Sequence, residues 1–166
     1  RAKLFPRKTQ FSQDSMNTTE ETQATAEHYH HRLPIQIRFN DVDRYGHVNN
    51  NSYFAYYDLG KDEYLRNVLR TNYRGTDVVP VIANINADFI LPIFYGDEIV
   101  METRVSHIGQ KSFTLKQRAI NLRTNMVVCQ CETVMVCFDL KKQESALLPE
   151  AYRQAFEQFE AGDSEE

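Results

Sequence analysis

The chain has 166 residues, of which 42% are hydrophobic and 25% are charged, and its formal net charge is −4. These values predict one globular domain with a real core, and the negative charge without a long basic face argues against a nucleic-acid partner. No stretch approaches the roughly 18 apolar residues that span a bilayer, the N-terminus lacks an apolar signal segment, and three cysteines favour reduced thiols in the cytoplasm.

Residues 1–32 are rich in Gln, Ser, Thr and Glu and show no hydrophobic period, so we predict a flexible N-terminal tail. Met16 is a candidate natural start, which would make residues 1–15 vector-derived or upstream sequence. The run HYHH at residues 28–31 has no carboxylate or cysteine at ligand spacing. We therefore expect a solvated run and no metal site there.

The ordered domain is predicted to begin at residue 33 with LPIQIRF, in which apolar and polar side chains alternate as in a half-buried strand. The inward-facing residues of this strand would be Leu33, Ile35, Ile37 and Phe39. The next segment, NDVDRYGH, predicts a polar loop because Asn, Asp and Gly favour turns.

A helix is predicted over residues 50–70, where the hydrophobic period changes to helical spacing. Its N-cap would lie between Asn49 and Ser52. Gly60 is unfavourable inside a helix by about 1 kcal/mol, which predicts close backbone packing at that point. The apolar stripe of this helix is Tyr53, Tyr56, Tyr57, Tyr64, Leu65, Val68 and Leu69.

Four further strands joined by short turns follow, and a final helix is predicted from Pro149 to Gly162. In the first of these strands, one face would carry Val81, Ala83, Ile85, Ala87 and Phe89. The last strand, over residues 126–138, is apolar on both faces and is predicted to be a central or interface strand. Its one-sided cysteines, interpreted as buried apolar residues, are Cys129, Cys131 and Cys137.

This order of elements predicts an α+β fold, because short turns make neighbouring strands antiparallel and the long helix must lie across their sheet. We expect a five-stranded sheet with its helix over residues 33–141, and a C-terminal helix and tail over residues 142–166.

The segment RFNDVDRYGHVNNNSYFAYYD resembles the loop-and-helix signature of hot-dog-fold acyl-CoA thioesterases of the 4-hydroxybenzoyl-CoA thioesterase family. Weaker matches are FILPIFYGDEIVMETRV and SHIGQKSFTL, and the resemblance covers residues 33–140. It implies a hot-dog fold with the sheet wrapped around the long helix. It also implies a homodimer or homotetramer with active sites at the dimer interface.

The resemblance gives Asp43 the role of catalytic carboxylate, either as general base toward water or as nucleophile. It gives the backbone N–H near Asn50 the role of oxyanion donor, because the first N–H groups of a helix are unpaired. Gly46 would let the chain turn so that the thioester can approach. His47 either polarises the substrate carbonyl or makes a structural bond, and Asp41 is expected to be structural.

Further substrate contacts follow from the same resemblance. The acyl-CoA substrate would be contacted near the loop by Gly46, Val48, Asn49 and Tyr53, and at the nucleotide by Lys111 and Ser112 with Lys116 and Arg118. The tyrosine stripe is interpreted as core rather than acyl-pocket lining. A helix-borne acid sometimes replaces the loop aspartate in the family, so the reserve candidates are Asp58, Asp62 and Glu63.

We therefore predict a cytoplasmic acyl-CoA thioester hydrolase that needs no metal or organic cofactor. Two alternatives stay open: a hydroxyacyl-thioester dehydratase, for which His47 is the only well-placed histidine, and a non-catalytic dimer that binds acyl thioesters. Signatures of serine hydrolases, zinc proteases and nucleotide-binding loops are not found in the sequence.

Overall fold

The computed structural model describes residues 27–70 and 77–162. Most of the predicted tail, including Met16, lies outside these ranges. The described elements, in chain order, are β1 His31–Ile35, α1 Asn50–Leu69, β2 Val78–Phe89, β3 Ile99–Ile108, β4 Ser112–Asn121, β5 Met126–Asp139, β6 Glu144–Ser145 and α2 Glu150–Glu160. The predicted order of elements and the α+β fold class are confirmed.

One antiparallel sheet holds all the described strands, in the order β1-β3-β4-β5-β2. The five long strands are the predicted ones, and the two-residue β6 adds to them by pairing with the end of β5. β5 lies between β4 and β2, as predicted for a central strand, whereas β2 is an edge strand. α1 packs across one face of the sheet, over β1, β3 and β4.

The core lies between α1 and this face of the sheet, and the predicted tyrosine stripe is buried in it. Gly60 sets the distance between helix and sheet: a Cβ atom there would lie 2.7 Å from Cγ of Met101. This confirms the predicted close packing at Gly60. At the far end of α1, the ring of Phe156 from α2 packs between those of Tyr64 and Phe113.

The first strand differs from its prediction at both ends. β1 begins at His31 rather than Leu33 and ends at Ile35, and a short 3₁₀ turn follows at Phe39–Asp41. Phe39, predicted to face inward, is 80% exposed because the chain has left the sheet before reaching it.

His31 is buried, which corrects the prediction of a solvated histidine run. Its Nε2 lies 3.2 Å from Oε2 of Glu63 on α1, and its ring packs edge-on against Tyr64. Burial lowers the pKa of His31, and the nearby carboxylates of Glu63 and Glu160 oppose that shift without reversing it. His28 and His30, by contrast, are exposed as predicted.

β2 does not keep the single alternation predicted for it. A bulge between Ile82 and Asn84 inserts Ala83 and exchanges the two faces of the strand. Val78 therefore packs on the core before the bulge, whereas Ile85 and Ala87 do so after it.

In the part of the chain that the structure describes, neither helix has the length and apolar character needed to cross a membrane.

Candidate active site

The polar loop between β1 and α1 folds back on itself as a tight hairpin. Val42 and Val48 form an antiparallel bridge. Inside it, the Asp43 N–H donates to the His47 carbonyl at 3.0 Å, and the Gly46 N–H donates to the Asp43 carbonyl at 3.0 Å. Gly46 has φ +86°, a left-handed conformation that glycine adopts without strain. Its predicted role in turning the chain fits this geometry.

Two contacts fix this hairpin to the segment before β3. The Val48 N–H donates to the Ile93 carbonyl at 2.8 Å, and the backbones of His47 and Phe94 form an antiparallel β-bridge. Val48 is only 1% exposed and belongs to the core. Its side chain is therefore occupied by core packing, and its predicted contact with substrate stays a prediction.

Among the described residues, one carboxylate oxygen of Asp43 accepts no hydrogen bond. Its Oδ1 accepts the Tyr45 N–H at 2.8 Å. Its Oδ2 lies 3.9 Å from Nδ1 of His47, beyond hydrogen-bond reach. Because the side chain is partly exposed, Oδ2 is accessible to a water molecule or a substrate.

His47 flanks this carboxylate without being locked to it. Its Nδ1 lies 3.4 Å from the Val48 carbonyl, and its ring stacks with that of Tyr45. The weak contact to the Val48 carbonyl leaves both predicted roles of His47 open, substrate polarisation and a structural bond.

The N-terminus of α1 carries a free donor beside the loop. Asn49 is the N-cap: its Oδ1 accepts the Asn51 N–H at 2.9 Å, and its carbonyl accepts the Ser52 N–H. The N-cap was predicted within residues 49–52, and the cap bond occupies Oδ1 of Asn49, so its predicted contact with substrate would be made by the side-chain NH2 group. Among the residues that the structure describes, the Asn50 N–H has no acceptor.

Asp41, two residues before Asp43, is almost fully buried and is held by charge-assisted hydrogen bonds. Its carboxylate accepts from the Arg38 backbone and side chain and from the Tyr56 hydroxyl at 2.8 Å. Burial alone would raise the pKa of Asp41, but these hydrogen bonds outweigh it and hold that pKa below its usual value. Burial and the Asp41 carboxylate raise the pKa of Tyr56. The sequence predicted a structural Asp41 but neither of its partners.

Apolar side chains next to the start of α1 remain partly exposed. Tyr53 is buried, and burial raises its pKa to about 12. Its ring packs edge-on against Phe89 at 5.1 Å, and Phe89 also contacts Phe54. Phe54 is 38% exposed and Phe89 45% exposed, and Leu91 is similarly open. Tyr53 therefore supports an apolar surface whose accessible members the sequence did not identify as such.

The predicted nucleotide contacts are not brought to this site within one chain. Lys111 and Ser112 lie at the turn between β3 and β4, and Lys111 Nζ contacts Ser145 at 3.2 Å. The loop of Asp43 meets the opposite end of that hairpin, about 30 Å away along a ten-residue strand. Lys116 and Arg118 lie farther along β4, where they contact Glu27 and Glu102, so the four residues do not form one cluster.

The three reserve carboxylates on α1 all have basic partners. Asp58 pairs with Lys61 at 2.5 Å, Asp62 with Arg66 at 3.0 Å and Glu63 with His31. Each of these pairs uses one carboxylate oxygen, as the Tyr45 N–H does in Asp43, so what distinguishes Asp43 is its place on the loop that leads directly to Asn50.

The described residues contain no group of three or more His, Cys, Asp or Glu side chains arranged to hold a metal ion. All three cysteines are free and buried. Burial raises the pKa of the Cys129 thiol to about 12, so it stays protonated and does not act as a nucleophile at neutral pH.

Comparison with known proteins gives one consistent result. A family model described as the thioesterase-like superfamily matches residues 37–156. The acyl-CoA thioester hydrolase YbgC of Escherichia coli is 25% identical over 129 residues, which cover 76% of this chain and 96% of YbgC. The long-chain acyl-CoA thioesterase FadM of Escherichia coli is 26% identical over 126 residues, covering 75% and 96% of the two chains.

Among solved structures, a thioesterase of Thermus thermophilus complexed with coenzyme A and zinc superposes with a TM-score of 0.67. It is 26% identical, and the match covers 78% of this chain and 98% of that one.

Proposed function

The chain belongs to the thioesterase-like superfamily and has the hot-dog fold, and from this premise we propose that it hydrolyses an acyl-CoA thioester with Asp43 and the N-terminus of α1. The names of YbgC and FadM, both acyl-CoA hydrolases, support this substrate class. The coenzyme A in the Thermus thermophilus thioesterase supports coenzyme A as the carrier.

The observation that carries the proposal is an open carboxylate oxygen on the loop that leads into an unpaired helix N–H. Oδ2 of Asp43 accepts no hydrogen bond from the described residues, and the Asn50 N–H donates none. Hydrolysis of a thioester needs both groups: one to activate water and one to stabilise the oxyanion. The partial positive charge at the start of α1 favours that oxyanion further.

In the proposed reaction, Asp43 removes a proton from a water molecule while the water oxygen attacks the thioester carbonyl carbon. The Asn50 N–H stabilises the negative charge that develops on the carbonyl oxygen. The tetrahedral intermediate then collapses, the C–S bond breaks, and the thiolate takes the proton from Asp43. Direct attack by Asp43 to form an anhydride, which water then hydrolyses, uses the same two groups.

The acyl group is proposed to lie against the apolar surface formed by Phe54, Phe89 and Leu91. These side chains are partly exposed. Phe54 lies just after the first turn of α1, where the thioester carbonyl would sit, and its ring contacts that of Phe89. The buried ring of Tyr53 packs edge-on against Phe89 and holds it in place. An aliphatic or aryl acyl group would bury these exposed faces.

A homodimer formed through β2 is proposed as the minimal unit. In the described part of the chain, β2 is hydrogen-bonded on one side only, to β5, and it carries the half-exposed apolar residues Val81, Ile82 and Phe89. An open, apolar edge strand of twelve residues is a template for pairing with another strand. A second β2 strand, antiparallel to the first, would extend the sheet across two chains. We propose a cytoplasmic location from the three unpaired thiols.

The proposal is tested by measuring release of free thiol from a panel of acyl-CoAs with the native sequence and with Asp43→Asn. Turnover is expected for some substrates and should fall by about 10²-fold or more in the variant. Melting temperatures should match, because the one hydrogen bond that the Asp43 side chain makes to a described residue is local and an asparagine oxygen can also accept it. The matched control is Glu150→Gln, which changes an exposed carboxylate at the start of α2 that has no proposed role in the reaction.

The alternative functions give different results in the same experiment. A folded protein that binds acyl-CoA but releases no thiol would support the binding dimer. Reversible dehydration of a hydroxyacyl-CoA without thiol release, lost in His47→Gln, would support the dehydratase.

A further inference from the structure

The Asp41 carboxylate connects two segments of the chain that meet at the proposed active site. It accepts three hydrogen bonds from Arg38, which follows β1, at 2.8, 2.9 and 3.2 Å, and one from Tyr56, in the second turn of α1. The Asp41 side chain and the Tyr56 ring are almost completely buried, whereas the Arg38 side chain is mostly exposed. The Tyr56 hydroxyl is therefore the donor that joins this carboxylate to the helix.

The backbone of Asp41 makes a second connection to the same helix. Its carbonyl accepts the Asn49 N–H at 2.8 Å and lies 3.4 Å from the Ser52 hydroxyl oxygen. Asn49 is the N-cap of α1 and the residue before Asn50. Both the side chain and the carbonyl of Asp41 thus hold the loop against the first two turns of the helix.

Within residues 27–70 and 77–162, Asp43 has no comparable contact with α1 of its own. Its carboxylate accepts one bond, from Tyr45 within the same loop, and its backbone bonds stay within the hairpin, to His47 and Gly46. The hairpin is fixed to the segment before β3 by Val48 and His47, and Asp41, two residues from Asp43, ties it directly to α1.

We propose that Asp41, held by Tyr56 and Arg38, is a positioning residue that fixes the Asp43 carboxylate relative to the oxyanion site at the start of α1. This inference rests on the proposed function. Asp41 takes no part in the chemistry, because its carboxylate is buried and occupied by four hydrogen bonds. A displacement of about 1 Å in a catalytic group lowers turnover by up to about 10²-fold, so a small loosening of this network has a measurable effect.

The test is a double-mutant cycle of Tyr56→Phe with Asp43→Asn, in which kcat and KM are measured for the best acyl-CoA substrate. Tyr56→Phe removes one hydroxyl and keeps the ring in the core. It is expected to lower kcat by about 10-fold with KM changed by less than about twofold, because the loss falls on the chemical step rather than on binding. In the Asp43→Asn background the same change should have no further effect on residual turnover, because Asp41 acts through Asp43.

The matched control is Tyr64→Phe, which removes a buried hydroxyl from the same helix two turns farther on. It should lower the melting temperature and leave kcat unchanged. Arg38→Ala is a second probe of the network: its side chain is mostly exposed, so the protein should fold, and kcat should again fall while KM does not.

Three results would contradict the inference. If kcat in Tyr56→Phe stays within about twofold of the native value, or if the two losses multiply in the double variant, Asp41 only stabilises the fold. If Asp43→Asn keeps full turnover, the assignment of Asp43 fails and the role of Asp41 fails with it. A native protein that releases no thiol from any acyl-CoA would instead overturn the proposed function itself.

Discussion

The Tyr64 hydroxyl donates a 2.5 Å hydrogen bond to Oε1 of Glu160, a residue 96 positions later in the chain. The same oxygen accepts the Val105 N–H at 2.8 Å. One carboxylate of α2 therefore joins α1 and β3 at the end of the core opposite the candidate active site. Burial and the Glu160 carboxylate raise the pKa of Tyr64, so its hydroxyl remains a donor at every physiological pH.

Removing this donor should destabilise the domain. We expect Tyr64→Phe to lower the free energy of unfolding by about 1–2 kcal/mol, because Oε1 of Glu160 loses one of its two donors while still largely buried. Urea unfolding followed by circular dichroism measures the change. Tyr95→Phe, at an exposed tyrosine, is the control and should have an effect below about 0.5 kcal/mol. Equal effects in the two variants would contradict the prediction.

His31 should make stability depend on pH. Burial lowers its pKa in the folded state, whereas in the unfolded chain it is about 6.5. As the pH falls below about 6.5, the unfolded chain binds the proton first, so folding stability decreases by up to about 1.4 kcal/mol per pH unit until the folded-state pKa is reached.

Urea unfolding at several pH values between neutral and mildly acidic tests this expectation. His31→Gln should flatten the dependence, since the glutamine does not titrate. His28→Gln alters an exposed histidine and should leave the slope as it was. A native protein whose stability does not fall on acidification through this range would show that His31 makes no such contribution.

The apolar edge of β2 should mediate dimerisation. Ile82 is half-exposed at the bulge, and a glutamate there would place a charge in the proposed interface. We expect Ile82→Glu to reduce the molar mass in solution to that of a monomer, measured by light scattering after size exclusion, and to reduce turnover with it. Leu147→Glu changes a more exposed leucine near α2 and should preserve the mass. A tetrameric native mass would indicate a further interface, and an unchanged mass in Ile82→Glu would exclude this one.

Phe89 should contribute to recognition of the acyl chain. Each methylene buried against an apolar surface is worth about 0.8 kcal/mol, so kcat/KM should rise along a series of straight-chain acyl-CoAs. Phe89→Ala removes one of the two rings of the Phe54–Phe89 pair. It should reduce the increase in kcat/KM per methylene, and kcat/KM for the shortest acyl-CoA should change least. Leu122→Ala, at an exposed leucine outside this surface, is the control. An unaltered slope in Phe89→Ala would place the acyl group elsewhere.

The long helix and the sheet could be predicted from the sequence because their signals are periodic. Tyr53, Tyr56, Tyr57 and Tyr64 recur at helical spacing, and all are buried where α1 meets the sheet. The roles of the loop from Asp41 to Asn50 follow from its resemblance to a family motif and not from a physical rule. That motif identified Gly46, whose positive φ the structure confirms.

Other features depend on contacts that no local pattern encodes. His31 is buried because Glu63 and Tyr64 on α1 cover it, and a strongly polar neighbourhood in sequence gave no sign of that. The bulge at Ala83 follows from the register with β5, which lies over forty residues away. The family motif assigns Lys111 a contact with the substrate but gives no distance between Lys111 and Asp43, and the length of β3 separates the two residues.

The position of β2 in the sheet has a consequence for biosynthesis. Its hydrogen-bonded partner is β5, residues Met126–Asp139, rather than β3, the next strand in the chain. During translation, at about 5–20 residues per second, β2 therefore waits several seconds for its partner to leave the ribosome. Throughout that interval both of its edges are open, and the segment around Ile82 and Ile85 is apolar. We expect the nascent chain to depend on chaperone binding to this strand before the native pairing is possible.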